Sequence, residues 1–176
     1  MKAASLLTLM AAVSFGASAM TLNSSDIQEG SRMAETFAFN GMGCNGKNQS
    51  PQLTWRDAPA GTRSFAITAH DPDAPTGSGW WHWVAVDIPA TQHALARGAS
   101  GHIKGAREMR NDYGFVGYGG ACPPKGEGMH RYEFTVWALP TEKLELPENA
   151  SNALVGFMLN SSALGKATLT ATYVNE

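Results

Sequence analysis

The chain has no run of basic residues. Its 13 Lys and Arg are slightly outnumbered by 15 Asp and Glu, for a formal net charge of −2, and charged residues make up only 16% of the sequence. So sparse and even a charge distribution gives no footprint for nucleic acid or for an anionic lipid surface. Cysteine is scarce as well: Cys44 and Cys122 are the only two, too few for a structural zinc site. No pair of candidate ligands stands in a compact motif such as H-x-x-x-H, so spacing does not argue for a metal. The G-x-S-x-G nucleophile elbow is also missing, which removes the usual signature of a Ser-His-Asp hydrolase. There is no internal repeat and no low-complexity tail.

One apolar run is present, at the start. Lys2 supplies a positive charge, residues 3–15 are apolar, and Ala17-Ser18-Ala19 has the small-residue cleavage pattern of a secretory signal. The run is shorter than the roughly 20 residues needed to span a bilayer. Cleavage after Ala19 would leave residues 20–176 as a single exported domain, of a size that buries about 70% of its unfolded surface. The alternative is a buried first helix. Export leads to an oxidising compartment, where Cys44 and Cys122 are expected to bridge. In the simple chain-entropy picture, that closure is worth about 4.5 kcal/mol. Two separate buried thiols are the competing reading, since spacing alone does not show proximity.

The rest of the chain reads as strands and long loops. Residues 64–70 alternate Phe65, Ile67 and Ala69 against Ala66, Thr68 and His70, the period of a half-buried strand. Residues 82–88 continue the pattern, with Val84, Val86 and Ile88 on the face of His82. Residues 130–139, HRYEFTVWAL, give the clearest alternation: His130, Tyr132, Phe134, Val136 and Ala138 on one face, Arg131, Glu133, Thr135 and Trp137 on the other. Residues 91–124 are rich in glycine and charge and read as one long loop, functional or mobile. Ser151 or Asn152 is placed to cap a helix with Leu154, Phe157, Met158 and Leu164 as its apolar positions. One modest helix among several strands predicts a mainly β domain, a sandwich of antiparallel sheets.

The candidate chemistry collects around two stretches. HDPDAPTGSGWWHW, residues 70–83, places Asp71, Asp73 and His82 in a proline-stiffened turn between strands. His130 and Tyr132 share a face of a later strand. Two imidazoles and a phenol can donate hydrogen bonds to a small anion while aspartates orient the rings. The same residue types ligate metals elsewhere. Taken singly, each has a plainer role: a histidine near a strand end packs, and an aspartate before proline forms a turn. Trp80, Trp81 and Trp83 read equally well as core or as pocket wall. His70, His93 and His102 are read as structural.

DPDAP at residues 71–75, Trp81-His82, and GGACPPKGEGMHRYEF at residues 119–134 resemble the phosphatidylethanolamine-binding protein family, also called the Raf kinase inhibitor protein family. GMGCNGKNQSPQLTW at residues 41–55 and the CPP of residues 122–124 resemble its bacterial YbhB/YbcL branch, some members of which are periplasmic. The resemblance covers nearly all of residues 20–176, with its motifs in order. It implies a two-sheet antiparallel fold with a pocket for phosphate-like groups formed by Asp71, His82, His130 and Tyr132. Asp73, Pro75 and Trp81 would shape the rim, with Tyr118 and residues 119–124 as the far wall. It also implies a cis Ala74–Pro75 bond. Cys122 departs from the glycine that animal members carry before the paired prolines; bridged to Cys44, it would tie the pocket wall to the GMGCNG loop. The long C-terminal helix of animal members has no counterpart, since the chain ends two residues after Val174.

The expected function is therefore that of a periplasmic binding or regulatory protein without catalysis and without a cofactor. Its ligand would be a small anion of phosphate, carboxylate or phosphoethanolamine type. Kinase inhibition makes little sense for a cytosolic target if the chain is exported. Two other classes compete. One is an interaction or inhibitor module that presents residues 91–118 to a protease, kinase or host factor. The other is a metal-assisted hydrolase built on His82, His130 and Asp71, which is disfavoured because Glu133 should point away from His130.

Overall fold

A computed structural model of the chain describes residues 19–176. The expected export signal falls outside the described residues, apart from Ala19. The strand-forming runs assemble as predicted into a mainly β, two-sheet antiparallel sandwich. The larger sheet has five strands in the order β10 (Gly165–Tyr173), β9 (His130–Leu139), β5 (Ser64–Asp71), β6 (Trp80–Pro89) and β8 (Arg107–Glu108). The smaller sheet has β1 (Thr21–Asn23), β4 (Leu53–Arg56) and β7 (Ala94–Leu95). A short hairpin of β2 (Asn40–Gly41) and β3 (Cys44–Asn45) stands apart from both. Every pairing between these strands is antiparallel.

The core between the sheets follows the alternation of β9. Tyr132, Phe134, Val136 and Ala138 point inward with Phe65, Ile67 and Ala69 of β5, and meet Leu53 and Trp55 of the smaller sheet. Trp137 points outward with Ala66, Val84 and Val86 into a second cluster. Trp55 and Trp83 are both fully buried. Each aromatic of that size hides on the order of 200 Å², about 5 kcal/mol of transfer free energy at roughly 25 cal/mol per Å².

The second cluster is capped by helix α1 (Asn152–Ser162). Ser151 is its N-cap, the hydroxyl accepting from the Leu154 N–H at 3.2 Å. The face it buries differs in part from the expected one, although Met158 packs against the cluster as expected. Val155, Gly156 and Leu159 face the sheet, whereas Phe157 is 68% exposed and Leu164 lies beyond the helix, 43% exposed. The reason is Trp81, whose ring lies against Gly156 so closely that a Cβ there would meet it at 2.9 Å. A small residue, not a large one, marks the contact face.

Two irregularities in β6 matter for function. Ala69 pairs with Trp83 and His70 with Trp81, so His82 is an extra residue in its strand. Such a bulge re-aims a side chain. His82 therefore leaves the face of Val84 and turns inward with Trp83. A second register shift falls between the Phe65 and Ile67 pairings, where Asp87 has φ of 63°, and it carries Ile88 to the inner core. The expected common face of His82, Val84, Val86 and Ile88 is thus broken at both ends.

Residues 91–124 are not a free loop. They contribute β7 and β8 and then run along β6, with Met109 N–H on Val84 O at 2.8 Å, Asp112 N–H on Trp81 O at 2.9 Å and Gly119 N–H on His82 O at 2.8 Å. Backbone bonds to a rigid strand hold this segment as a wall.

Candidate functional site

The turn after β5 is organised by Asp71, which is 2% exposed. Its Oδ1 accepts the N–H groups of Asp73 (2.8 Å) and Ala74 (3.1 Å), the bonding of an Asx turn. Its Oδ2 accepts Nδ1–H of His130 at 2.8 Å. One carboxylate thus fixes the turn and ties it to the start of β9. The Thr76 N–H closes on Ala74 O at 2.8 Å around Pro75, whose ring presets the φ of such a tight turn. Ala74–Pro75 is trans, contrary to the expected cis bond, as every peptide bond is among the described residues. The chain reverses here through the aspartate cap and this close bond.

His82 is 3% exposed, and its Nδ1 lies 2.8 Å from Gly119 O and 3.1 Å from Gly120 O. Both partners are acceptors, so Nδ1 carries the proton and Nε2 is an acceptor. Asp71 therefore sets the tautomer of His130 alone; backbone carbonyls set that of His82. Burial is the main cause that lowers the His82 pKa, to about 4, against smaller upward effects of the Gly119 carbonyl and the Asp71 charge.

The two glycines allow these close approaches. A Cβ on Gly119 would sit 2.4 Å from the Tyr113 ring, and one on Gly120 would sit 2.4 Å from backbone atoms of Phe37 and Ala38. The Tyr113 hydroxyl donates to Gly120 O at 3.0 Å, and its ring stacks on Phe39 with centroids 4.1 Å apart.

These groups enclose a cavity of about 150 Å³. Asp71, His82, Trp80, Tyr113, Pro75 and Cys122 are among its lining residues. Drug-sized ligands occupy roughly 300–1,000 Å³, so this volume fits a small group. His130 and Tyr132 lie beneath the wall rather than in it. His130 stands behind Asp71, and the Tyr132 ring packs edge-on against His82, with centroids 5.1 Å apart. The Tyr132 hydroxyl is buried beside the Asp71 carboxylate, and the indole Nε1 of Trp80 is buried without a hydrogen-bond partner. The pKa values of Tyr132 and Tyr113 are both raised, first by burial and then by the charge of Asp71, so both remain phenols.

Three expected rim residues are placed elsewhere. Trp81 packs on the outer face against His70 and Gly156, and Trp80 takes the position at the cavity. Tyr118 is 4% exposed, donates to Phe37 O at 2.8 Å and packs edge-on against Trp83; Tyr113 forms the wall in its stead. Asp73 lies outside the cavity and clasps Arg131, with contacts of 2.9 Å to its N–H, 2.9 Å to Nε and 2.7 Å to Nη2. The Arg131 hydrogen bonds hold the Asp73 carboxyl down, at a pKa of about 2. Tyr113 was the residue that reading the sequence missed. Its one signal was an aromatic residue in a glycine-rich segment.

Cys44 and Cys122 form a disulfide, with Cα atoms 5.9 Å apart. It fastens the β2–β3 hairpin to the wall, and Met42 of that hairpin also lines the cavity. Among the described residues, no three His, Cys, Asp or Glu side chains gather in a group able to hold a metal ion. Glu133 pairs in register with His70 on the face opposite the core-facing Tyr132. No helix among the described residues is long and apolar enough to cross a membrane.

Comparison with known proteins gives a consistent result. Residues 23–174 match the family described as phosphatidylethanolamine-binding protein. The UPF0098 protein YbcL of Escherichia coli is 47% identical over 180 residues, covering 98% of each chain. The UPF0098 protein YbhB of the same organism is 49% identical over 158 residues, covering 88% of this chain and 99% of its own. The crystal structure of E. coli YbcL superposes with a TM-score of 0.86 at 48% identity, covering 90% of this chain and all of that one.

Proposed function

The chain belongs to the phosphatidylethanolamine-binding protein family, and from that premise we propose that it is an exported, periplasmic binding protein that holds a small phosphate-like or carboxylate anion in the cup of Asp71, His82 and Trp80 and performs no chemistry on it. The observation that carries this reading is an unpartnered buried donor at one small cavity, the indole N–H of Trp80. A buried donor without an acceptor costs about 1–3 kcal/mol, and a ligand oxygen placed against it removes that cost. The lining residues sit on strands and on backbone-anchored loops, so the cup is formed before the ligand arrives.

The roles within the cup follow from the bonding. Trp80 donates to the ligand, Asp71 holds the turn and His130 in place, and Tyr132 supports the His82 ring from beneath the wall. The disulfide keeps the Met42 hairpin and the Cys122–Pro124 segment as a fixed mouth. His82 contributes a neutral ring with one acceptor nitrogen.

Titration with phosphate, phosphoethanolamine and acetate, followed through the ring signals of His82 and His130 by NMR, tests this. The expected result is a saturable shift at His82, with His130 responding less because it lies behind Asp71. If neither ring responds at millimolar ligand, the reading is overturned.

A further inference from the structure

The two sulfurs of the Cys44–Cys122 bridge have unlike surroundings. Cys44 is 5% exposed, whereas Cys122 is half-buried and is one of the residues lining the cup. The carbonyl oxygens of Gly41 and Met42 each lie 3.7 Å from Cys122 Sγ and cover it from the hairpin, so its approach from solvent is through the cup. Thiol–disulfide exchange depends on which sulfur an incoming thiolate can reach. One sulfur here borders a cavity of about 150 Å³, and the other is sealed behind it.

Charge does not redirect the attack. Cys44 lines a second cavity, of about 330 Å³, together with Arg32, Lys125, Glu35 and Glu176. Two cations against two carboxylates give that cavity no net pull on a thiolate, and Arg32 is already held by Glu176 at 2.7 Å. In the cup the one carboxylate, Asp71, has both oxygens engaged by N–H donors. The burial of Cys44 therefore decides between the two routes.

The wall does not depend on the bridge alone. The Phe39 N–H donates to Ala121 O at 2.9 Å, the Gly46 N–H to Phe39 O at 2.8 Å, and the Gly120 N–H to Asn48 Oδ1 at 2.6 Å. These bonds keep the base of the β2–β3 hairpin on the wall when the sulfurs part. Residues 40–44 and 122–124 are the portion that the bridge itself fixes, and Met42, Cys122, Pro123 and Pro124 among them line the cup.

From this placement of a reachable sulfur on a small cavity, with its partner sulfur sealed behind it, we infer that Cys122 is a modification site for a small thiol. The thiolate enters the cup and attacks Cys122 Sγ. A new S–S bond forms there as the Cys44–Cys122 bond breaks, and Cys44 leaves with the electron pair and takes a proton from water. One disulfide is exchanged for another, so the step needs no other oxidant or reductant. The product holds the body of the thiol in the cup, beside Trp80 and Tyr113, and releases the hairpin tip. Thiols too large for the cavity are shut out of this route. The inference goes beyond the anion reading and does not rest on it.

The test incubates the oxidised, folded protein with 2-mercaptoethanol or with glutathione at mildly alkaline pH, where thiolate is available. Samples taken early, before a second thiol completes reduction, are quenched with iodoacetamide and mapped by mass spectrometry. The expected product carries mercaptoethanol on Cys122 and the alkyl label on Cys44, in excess of the reverse arrangement by on the order of tenfold. Rates are divided by those of the same thiols on urea-unfolded protein, which cancels their intrinsic reactivity. On that scale glutathione, a tripeptide, should react on the order of tenfold more slowly than mercaptoethanol. A predominant adduct on Cys44, equal labelling of the two sulfurs, equal normalised rates for the two thiols, or no reaction of the folded protein each overturns the inference. None of these outcomes bears on the anion cup, which the phosphate titration tests separately.

Discussion

Replacing Asp71 with alanine removes three hydrogen bonds to one buried carboxylate, from Asp73 N, Ala74 N and His130 Nδ1. A hydrogen bond to a charged group is worth about 1.5–3 kcal/mol, so three give a ceiling of roughly 5–9 kcal/mol. The two turn N–H groups can recover water once the carboxylate is gone, because Asp73 is exposed and Ala74 only part-buried. The His130 ring cannot, since it is 3% exposed. The net expected loss is about 3–5 kcal/mol. Asp71→Asn keeps an acceptor for the turn and asks only that His130 exchange its tautomer, so about 1–2 kcal/mol is expected. Urea unfolding of the oxidised protein, followed by tryptophan fluorescence, measures both from midpoint and slope. An Asp71→Ala loss below 1 kcal/mol would refute the claim that this carboxylate organises the turn and β9.

Three more outcomes are expected. His82 is neutral when folded, with a pKa of about 4, and near 6.5 when unfolded, so the unfolded chain binds more protons between those values and stability falls as pH drops through that window. The loss should reach about 2 kcal/mol between pH 7.5 and pH 5, and in His82→Gln the slope should flatten; urea midpoints at the two pH values report it. Reducing the Cys44–Cys122 bridge, which spans 78 residues of sequence, should cost up to about 4.5 kcal/mol by calorimetric melting, and thiol counting on unreduced denatured protein should find no free cysteine. Gly120→Ala should destabilise by more than 2 kcal/mol in the same urea assay, because its Cβ would fall 2.4 Å from backbone atoms that cannot swing aside.

Regular period made some of this readable beforehand. The alternation of β9 held across all of His130–Leu139, and both faces fell where period two places them. DPDAP marked a turn, and two cysteines in a chain read as exported marked a bridge. Period two failed in β6, where one extra residue turned His82 inward and put Trp80, not Trp81, at the cavity. A bulge of this kind depends on how the neighbouring strand pairs, and no local pattern announces it. The helix face was misread for a related reason: Gly156 and Val155 are the residues that fit against Trp81 and the sheet, while the bulky Phe157 faces solvent. Tyr113 was hidden in a glycine-rich segment whose order comes from backbone bonds to β6. The tautomer of His82 follows from which of its nitrogens meets a carbonyl, and only the assembled site shows that.

The central claim is that a small phosphate-like group sits against the unpartnered indole N–H of Trp80 in this cup. The chain has five tryptophans, each with its own indole N–H signal. Trp83 and Trp137 donate to Glu108 and Thr68, Trp55 is sealed in the core, and Trp81 lies on the outer face. Titration with methyl phosphate at pH 6, followed through these five signals by ¹⁵N-correlated NMR, should move the Trp80 resonance saturably and leave that of Trp55 in place. A Trp80 signal that stays put at tens of millimolar ligand would contradict the account.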